Sequence, residues 1–144
     1  MTTKVADVLT LKGSEVVTVT PDQSIDTASR ILAQKKIGAL PVLDERRRLV
    51  GIISERDIIR GLALHGNTVL FLAISELMTR EVKTCRPEEP IVGLMETMTN
   101  RRIRHLPVLI GDHLCGIISI GDVVKQRLTE AQLELEQLRS YIAS

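Results

Sequence analysis

The sequence predicts an α+β fold: two tandem repeats, each β-α-β-β-α in order, packed with approximate twofold symmetry and followed by a C-terminal helix. Three observations carry that prediction. The chain matches itself: Pro21 and Pro87, and Pro41 and Pro107, lie 66 positions apart, with Val16/Val82, Thr18/Thr84, Ile25/Ile91, Ile37/Ile103 and Leu40/Leu106 in the same register. After a shared Pro-Val-Leu tripeptide the offset falls to 65, which aligns Gly51/Gly116, Ile52/Ile117, Ile53/Ile118, Ser54/Ser119 and Asp57/Asp122. The lost residue falls in a polar turn, where a deletion costs little. Finally, a unit of ~60 residues leaves one apolar sheet face uncovered, which a second copy packed face to face would cover around a shared interface.

Each element has a local reason. Val16–Val19 is a β-branched run stopped by Pro21, and Ile25, Ala28, Ile31 and Leu32 then recur at helical spacing up to Lys35 and Lys36, cations that suit a helix C-terminus. Ala39–Leu43, the polar turn 44–48 and Leu49–Ile53 form a hairpin, and a helix over Glu55–Leu64 closes the unit. The second copy repeats this as Val82–Cys85, a helix from Pro90 to Asn100, strands over Leu106–Ile110 and Leu114–Ile118, and a helix from Ile120 onward. Pro90 fits the first helical turn and Asn100 a C-terminal cap. In chain order, residues 1–66 hold an N-terminal segment and the first repeat, 67–79 a linker, 80–127 the second repeat and 128–144 a C-terminal amphipathic helix.

Composition narrows the function classes. At 44% hydrophobic and 26% charged residues the chain is globular rather than disordered. A net charge of +1 supplies no global field toward nucleic acid or an anionic membrane, and one Phe, one Tyr and no Trp leave no platform for stacking bases. Cys85 and Cys115 form no CxxC pair and read as reduced small apolar residues. Met1–Leu11 lacks the pattern of a signal peptide, and the longest apolar run, Val69–Ile74, falls far short of the ~20 residues that span a bilayer. A cytoplasmic protein with no nucleic-acid or membrane partner is expected.

One motif recurs at equivalent places: Gly51-Ile-Ile-Ser54-Glu-Arg-Asp57 and Gly116-Ile-Ile-Ser119-Ile-Gly-Asp122, each following an Ile-x-x-Leu-Pro-Val-Leu strand. Ser-x-x-Asp before an apolar helical stretch is a capping box. The same geometry presents free amides and a positive dipole end to a phosphate, and its carboxylate can accept two hydrogen bonds from a ribose diol. In these paired motifs the chain resembles the CBS (cystathionine-beta-synthase) domain pair, or Bateman module, over roughly Val5 to Val124. Ser54-Glu-Arg-Asp57-Ile-Ile-Arg, Ser75-Glu-Leu-Met78-Thr79 and the trailing helix look like the small stand-alone bacterial members.

The resemblance implies adenosine nucleotides bound in clefts between the repeats: AMP first, with ADP, ATP or NAD(H) as alternatives, and Mg²⁺ only beside a polyphosphate. It implies Asp57 and Asp122 on the ribose, and Ser54, Ser119 and neighbours such as Gly121 near phosphate. The strand entries Ile37, Gly38, Ala39, Leu40, Pro41 and Arg104, His105, Leu106, Pro107 would line the clefts. Gly38 and Ala39 leave room for an adenine, whereas Arg104 and His105 narrow the other copy and add positive charge. Arg56 is a further phosphate candidate. Arg101 and Arg102 read equally as solvated cations, Arg46–Arg48 as a solvated run, and Thr18 and Thr84 as ligand contacts or ordinary strand residues.

Ser119, His105 and Asp122 are the residue types of a hydrolytic triad, but Ile117 stands where a nucleophile elbow requires glycine. No P-loop, HExxH or CxxC motif occurs, and His65 and His113 sit in polar turns, so no enzyme is expected. Leu128, Ala131, Leu135, Leu138 and Ile142 repeat at steps of three and four, which suits either a helix packed on its own module or a coiled-coil dimer seam. Val69–Ile74 is likewise either an interchain surface or linker core. The whole reads as a non-catalytic regulatory homodimer that signals energy or redox state to an unknown partner protein. The alternative is a scaffold with vestigial clefts that regulates a partner by dimer contacts.

Overall fold

The computed structural model describes residues 2–13 and 15–143. In order come α1 (Val5–Lys12), α2 (Ile25–Lys35), β1 (Ala39–Leu43), β2 (Leu49–Ser54), α3 (Glu55–His65), a 3-10 turn (Gly66–Phe71), α4 (Ile74–Leu77), α5 (Ile91–Arg101), β3 (His105–Ile110), β4 (His113–Ser119) and α6 (Ile120–Ala143). The two antiparallel hairpins, β1–β2 and β3–β4, share one irregularity, a register shift at Val42/Leu43 and at Val108/Leu109.

The C-terminal ends of α2 and α5 repeat as faithfully. Ser24 caps α2 by accepting from the Thr27 amide, and α2 stops at Lys36, whose left-handed backbone (φ 56°) returns its amide to the Leu32 carbonyl. Arg102 (φ 54°) does the same for α5 toward Met98, so the C-cap falls there and Asn100, expected to be the cap, lies inside the last turn. The expected strands 16–19 and 82–85 shrink to one bridging residue each, Val19 beside Val42 and Cys85 beside Val108. The Val19 amide donates to the Pro41 carbonyl (3.1 Å), and Val19 accepts from the Leu43 amide (2.9 Å). Pro21 and Pro87, two residues on, have no amide with which to extend a ladder.

Instead of one shared core, two buried clusters form, one in each repeat. Each is completed by the helix that precedes the other repeat. Val5, Val8 and Leu9 of α1 pack with Ile91, Leu94, Leu106 and Ile118, while Ile74 of α4 and the adjoining Met78 pack with Ile25, Leu32, Leu40 and Ile53. Backbone bonds fix both exchanges: the Val5 amide donates to Glu89 (2.9 Å) and Ile91 to Thr3 (3.0 Å), as Ile74 donates to Gln23 (2.8 Å) and Ile25 to Leu72 (2.9 Å). The repeats are therefore contiguous in sequence but not in packing, and the division at residue 66 is one of chain order alone.

Val69 and Ile74 are first-repeat core, which answers the linker question for them, while Phe71 between them is 88% exposed. The closing helix of the second repeat and the C-terminal amphipathic helix are a single element, α6. Only Val123 of α6 is buried, and residues 131–143 are exposed throughout, so the seam does not pack on its own module. Among the described residues no helix is long and apolar enough to cross a membrane.

Two helical glycines separate propensity from packing. A Cβ at Gly93 in α5 meets nothing within 4 Å, whereas one at Gly61 in α3 lies 2.5 Å from Leu77 Cδ1 and 2.9 Å from Val69 Cγ2. Urea unfolding should find Gly93→Ala stabilising by about 0.5–1 kcal/mol through helix propensity. Gly61→Ala should be destabilising by about 1–3 kcal/mol, because overpacking outweighs the same gain.

Candidate functional site

A cleft of about 240 Å³ opens between the repeats. Its walls are Gly38 and Ala39 before and at the start of β1, Ser54–Asp57 and Arg60 where β2 turns into α3, residues 79 and 81–83 on the chain entering the second repeat, and Arg102–His105 before β3. The backbone explains the assembly. Ala39 pairs with Ser54, and the Glu55 amide donates to the Gly38 carbonyl (3.0 Å), so strand entry and helix start share one corner. Thr79 exchanges two 2.9 Å bonds with Ile52, laying the linker along β2. The Arg56 guanidinium reaches the Arg102 carbonyl (3.3 Å), joining the two repeats.

Asp57 is the one charged side chain buried among the described residues, at 7% exposure. Its Oδ2 accepts from the Ser54 amide and hydroxyl, both at 2.9 Å, completing the capping box. Its Oδ1 accepts only from the Thr79 hydroxyl, at 3.3 Å, and keeps capacity for a further donor. Around it Arg56, Arg60, Lys83, Arg102 and Arg104 outnumber Glu55, Asp57 and Glu81. The arrangement thus offers a buried acceptor at the floor and a cationic rim, suited to a hydroxylated, anionic ligand.

His105 lines this cleft and also lies within the fields of Lys12 and Asp122 of the second repeat's motif. Its ring packs on Gly38, where an added Cβ would lie 3.0 Å from Cε1 and 3.1 Å from Nε2. Burial pushes the imidazole below its ordinary pKa; Lys12 and Arg104 act in the same direction, and Glu55 and Asp122 oppose them.

In the second repeat the same motif is differently engaged. The Ser119 amide donates to Asp122 Oδ2 (2.8 Å) and the Asp122 amide to Ser119 Oγ (3.1 Å), so this Ser and Asp form a helix cap. Lys12, from the last turn of α1, places its ammonium 2.5 Å from Asp122 Oδ2 and 2.8 Å from the Ile117 carbonyl. Burial alone raises the Asp122 carboxyl, but Lys12 and the Ser119 bonds outweigh it and hold the group below the usual carboxylate range.

Of the residues expected at the site, Gly38, Ala39, Ser54, Arg56, Asp57, Arg104 and His105 meet in the first cleft. Ser119, Gly121 and Asp122 lie apart from it, at the start of α6. Leu40 and Leu106 are core residues, Pro41 and Pro107 are buried in their strands, and Ile37 packs against the first core. Thr84 is exposed, and Thr18 lines a separate cavity with Arg47 and His113 at the hairpin turns. In both strands it is the entry residues, Gly38 and Ala39 and Arg104 and His105, that line this cleft. Arg60 went unnoticed, although it lies one turn beyond Arg56 on the same helix face. Thr79, which closes the Ser75–Thr79 motif, and Glu81, Val82 and Lys83, at the start of the second repeat, also line the cleft; their residue types alone carry no sign of a ligand contact.

A CBS domain model matches residues 5–64 and 74–128. A CBS-domain containing protein from Agrobacterium tumefaciens has a crystal structure that superposes with a TM-score of 0.85 at 46% identity, covering 88% of this chain and 95% of that one. The mitochondrial CBS domain-containing protein CBSX3 of Arabidopsis thaliana is 35% identical over 97% of this chain and 72% of its own length. The CBS domain pair of protein MJ0100, solved in complex with 5′-methylthioadenosine and S-adenosyl-L-methionine, superposes with a TM-score of 0.75 at 30% identity, covering 92% of this chain and 99% of that one.

Because its folded pKa is depressed, neutral His105 contributes stability that is fully present above the unfolded value of about 6.5 and is lost as pH falls through the lower folded value. Melting temperatures measured from pH 8 downward should fall through the mildly acid range in the wild type, and His105→Gln should flatten that slope.

Proposed function

The chain belongs to the CBS-domain family, and on that premise we propose that it is a non-catalytic regulatory module that binds an adenosine nucleotide in the first cleft, AMP foremost, and signals energy state to a partner protein. The observation that carries this reading is the buried Asp57 with an available Oδ1 beneath a cationic rim. Gly38 and Ala39 make room for the base beside Ile52, Val82 and Ile103. A ribose hydroxyl donates to Asp57 Oδ1, and phosphate meets Arg56, Arg60 and Arg104. At about 240 Å³ the cleft lies just below the ~300–1,000 Å³ usual for small-molecule sites, which suits a nucleoside with its phosphates at the mouth. A phosphate that recruits Arg56 competes with the bond to the Arg102 carbonyl, and such a differential contact lets a ligand favour one arrangement of the repeats. ADP, ATP and NAD(H) fit the same chemistry, with Mg²⁺ beside a polyphosphate, and so do the ligands of the MJ0100 pair.

A second reading, a scaffold that acts through protein contacts, draws on the exposed seam of α6: Leu128, Leu135, Leu138 and Ile142 are 48–75% exposed. We propose that this seam pairs with its copy in a homodimer, which serves either reading.

Calorimetric titration of ligand-stripped protein with AMP, ADP, ATP, NAD(H), 5′-methylthioadenosine and S-adenosylmethionine tests the nucleotide reading. Asp57→Asn, which keeps the shape of the cap, should weaken binding at least tenfold, about 1.4 kcal/mol. Arg104→Met should weaken AMP and ATP but spare uncharged adenosine. No binding of any of these at millimolar concentration leaves the scaffold. Sedimentation should give a dimer that Leu135→Lys with Leu138→Lys dissociates, and a wild-type monomer would refute the seam.

A further inference from the structure

The two Ser-x-x-Asp corners, built by one repeat, differ at the carboxylate. In the first, Thr79 donates its amide to the Ile52 carbonyl (2.9 Å) and its hydroxyl to Asp57 Oδ1 (3.3 Å). In the second, one ammonium takes the carbonyl and pairs with the carboxylate: Lys12 donates to the Ile117 carbonyl (2.8 Å) and to Asp122 Oδ2 (2.5 Å), the oxygen that also accepts from the Ser119 amide, where Ile117 and Asp122 are the repeat equivalents of Ile52 and Asp57. A hydroxyl leaves the carboxylate its charge. An ammonium neutralises it, and the lysine stem bridges the gap between the end of α1 and the start of α6.

We infer that Lys12 is a built-in occupant of the second cleft, holding Asp122 where a ribose would otherwise bind, so that the chain offers one open nucleoside site and gains a second when Lys12 withdraws. This rests on the reading that the Ser-x-x-Asp corner of the first cleft binds an adenosine nucleotide. Withdrawal does not require the core to open. Lys12 is the last residue of α1, one turn beyond the Leu9 anchor, and is followed by Gly13 with a left-handed φ of 98°. Helix termini of this kind open at a small fraction of the global unfolding free energy. His105 packs against Gly38 in the first cleft and lies within the fields of Lys12 and Asp122, so the ion pair also bears on the wall of the open site.

The test is binding stoichiometry with AMP as the probe, by native mass spectrometry and calorimetry, on wild type, Lys12→Met, Lys12→Gln and Lys12→Met/Asp122→Asn, each shown to be folded by its melting transition. The expected result is one AMP per chain in the wild type, two in either single variant, and one again in the double variant. Two AMP in the wild type, or one in both single variants, overturns the inference. None in the wild type with one in the variants removes the first-cleft reading and supports the occupied second cleft, whereas none in any protein removes both. A ligand-free readout stands beside these. Acylation of the Lys12 amine should be at least several-fold slower than at Lys4, Lys35 and Lys36, and Asp122→Asn should abolish the difference; equal rates in the wild type overturn the inference.

Discussion

The exchange of entry helices is the constraint on which the rest of the structure depends. Neither hairpin can cover its own apolar face, so each repeat takes a helix from the segment before the other. The contact is close enough that only glycine fits beneath it: a Cβ at Gly116 would lie 2.7 Å from Leu9 Cδ2, and one at Gly51 would lie 2.6 Å from Met78 Sδ. Once α4 is docked on the first repeat, the chain must travel back along β2 to begin the second. That return path, paired at Thr79 and Ile52, becomes one wall of the cleft. The site is thus a by-product of how the cores are completed.

The symmetry is one of backbone, and the chemistry departs from it. Positions 38 and 39 are Gly and Ala in the first copy, and their equivalents are Arg104 and His105. Both larger side chains turn into the first cleft, so the same positions that leave space on one wall supply charge and bulk on the facing wall. Asp57 is buried and hydrogen-bonded only to neutral groups, while Asp122 is paired with a cation. One frame therefore presents two different electrostatic environments, and His105 feels charges from both, Glu55 on one side and Lys12 with Asp122 on the other.

Much of this was legible before any coordinates. The offset of 66, then 65, with the apolar pattern of each copy, located both hairpins, α2, α3 and α5 to within a residue or two, and the doubled Gly-Ile-Ile-Ser-x-x-Asp motif located the helix starts that bear Asp57 and Asp122. The misses share a physical cause. α1 and the 79–83 segment have long-range partners, and periodicity within a window does not register a helix whose apolar face is meant for the far half of the chain. The cap at Arg102 rather than Asn100 was hidden because a left-handed Arg carries no compositional sign, although the same conformation at Lys36 one repeat earlier is the pattern to compare. Lys12 belongs to no motif in the sequence, and only its contacts reveal an ion pair to a residue 110 positions away.

The exchanged helices also bear on how such a chain arises. A single repeat carrying its own preceding helix leaves its hairpin uncovered and its helix unsupported, and a second identical copy satisfies both deficits at once through reciprocal donation. Two free copies would thus form an intertwined pair before any fusion. Joining them end to end alters no interface, since each helix keeps its place. Fusion changes something else: it releases the two halves from being identical. Only then can one copy of the motif open onto a cleft beside Gly38 while the other pairs its carboxylate with Lys12, and duplication becomes a route to division of labour within one polypeptide.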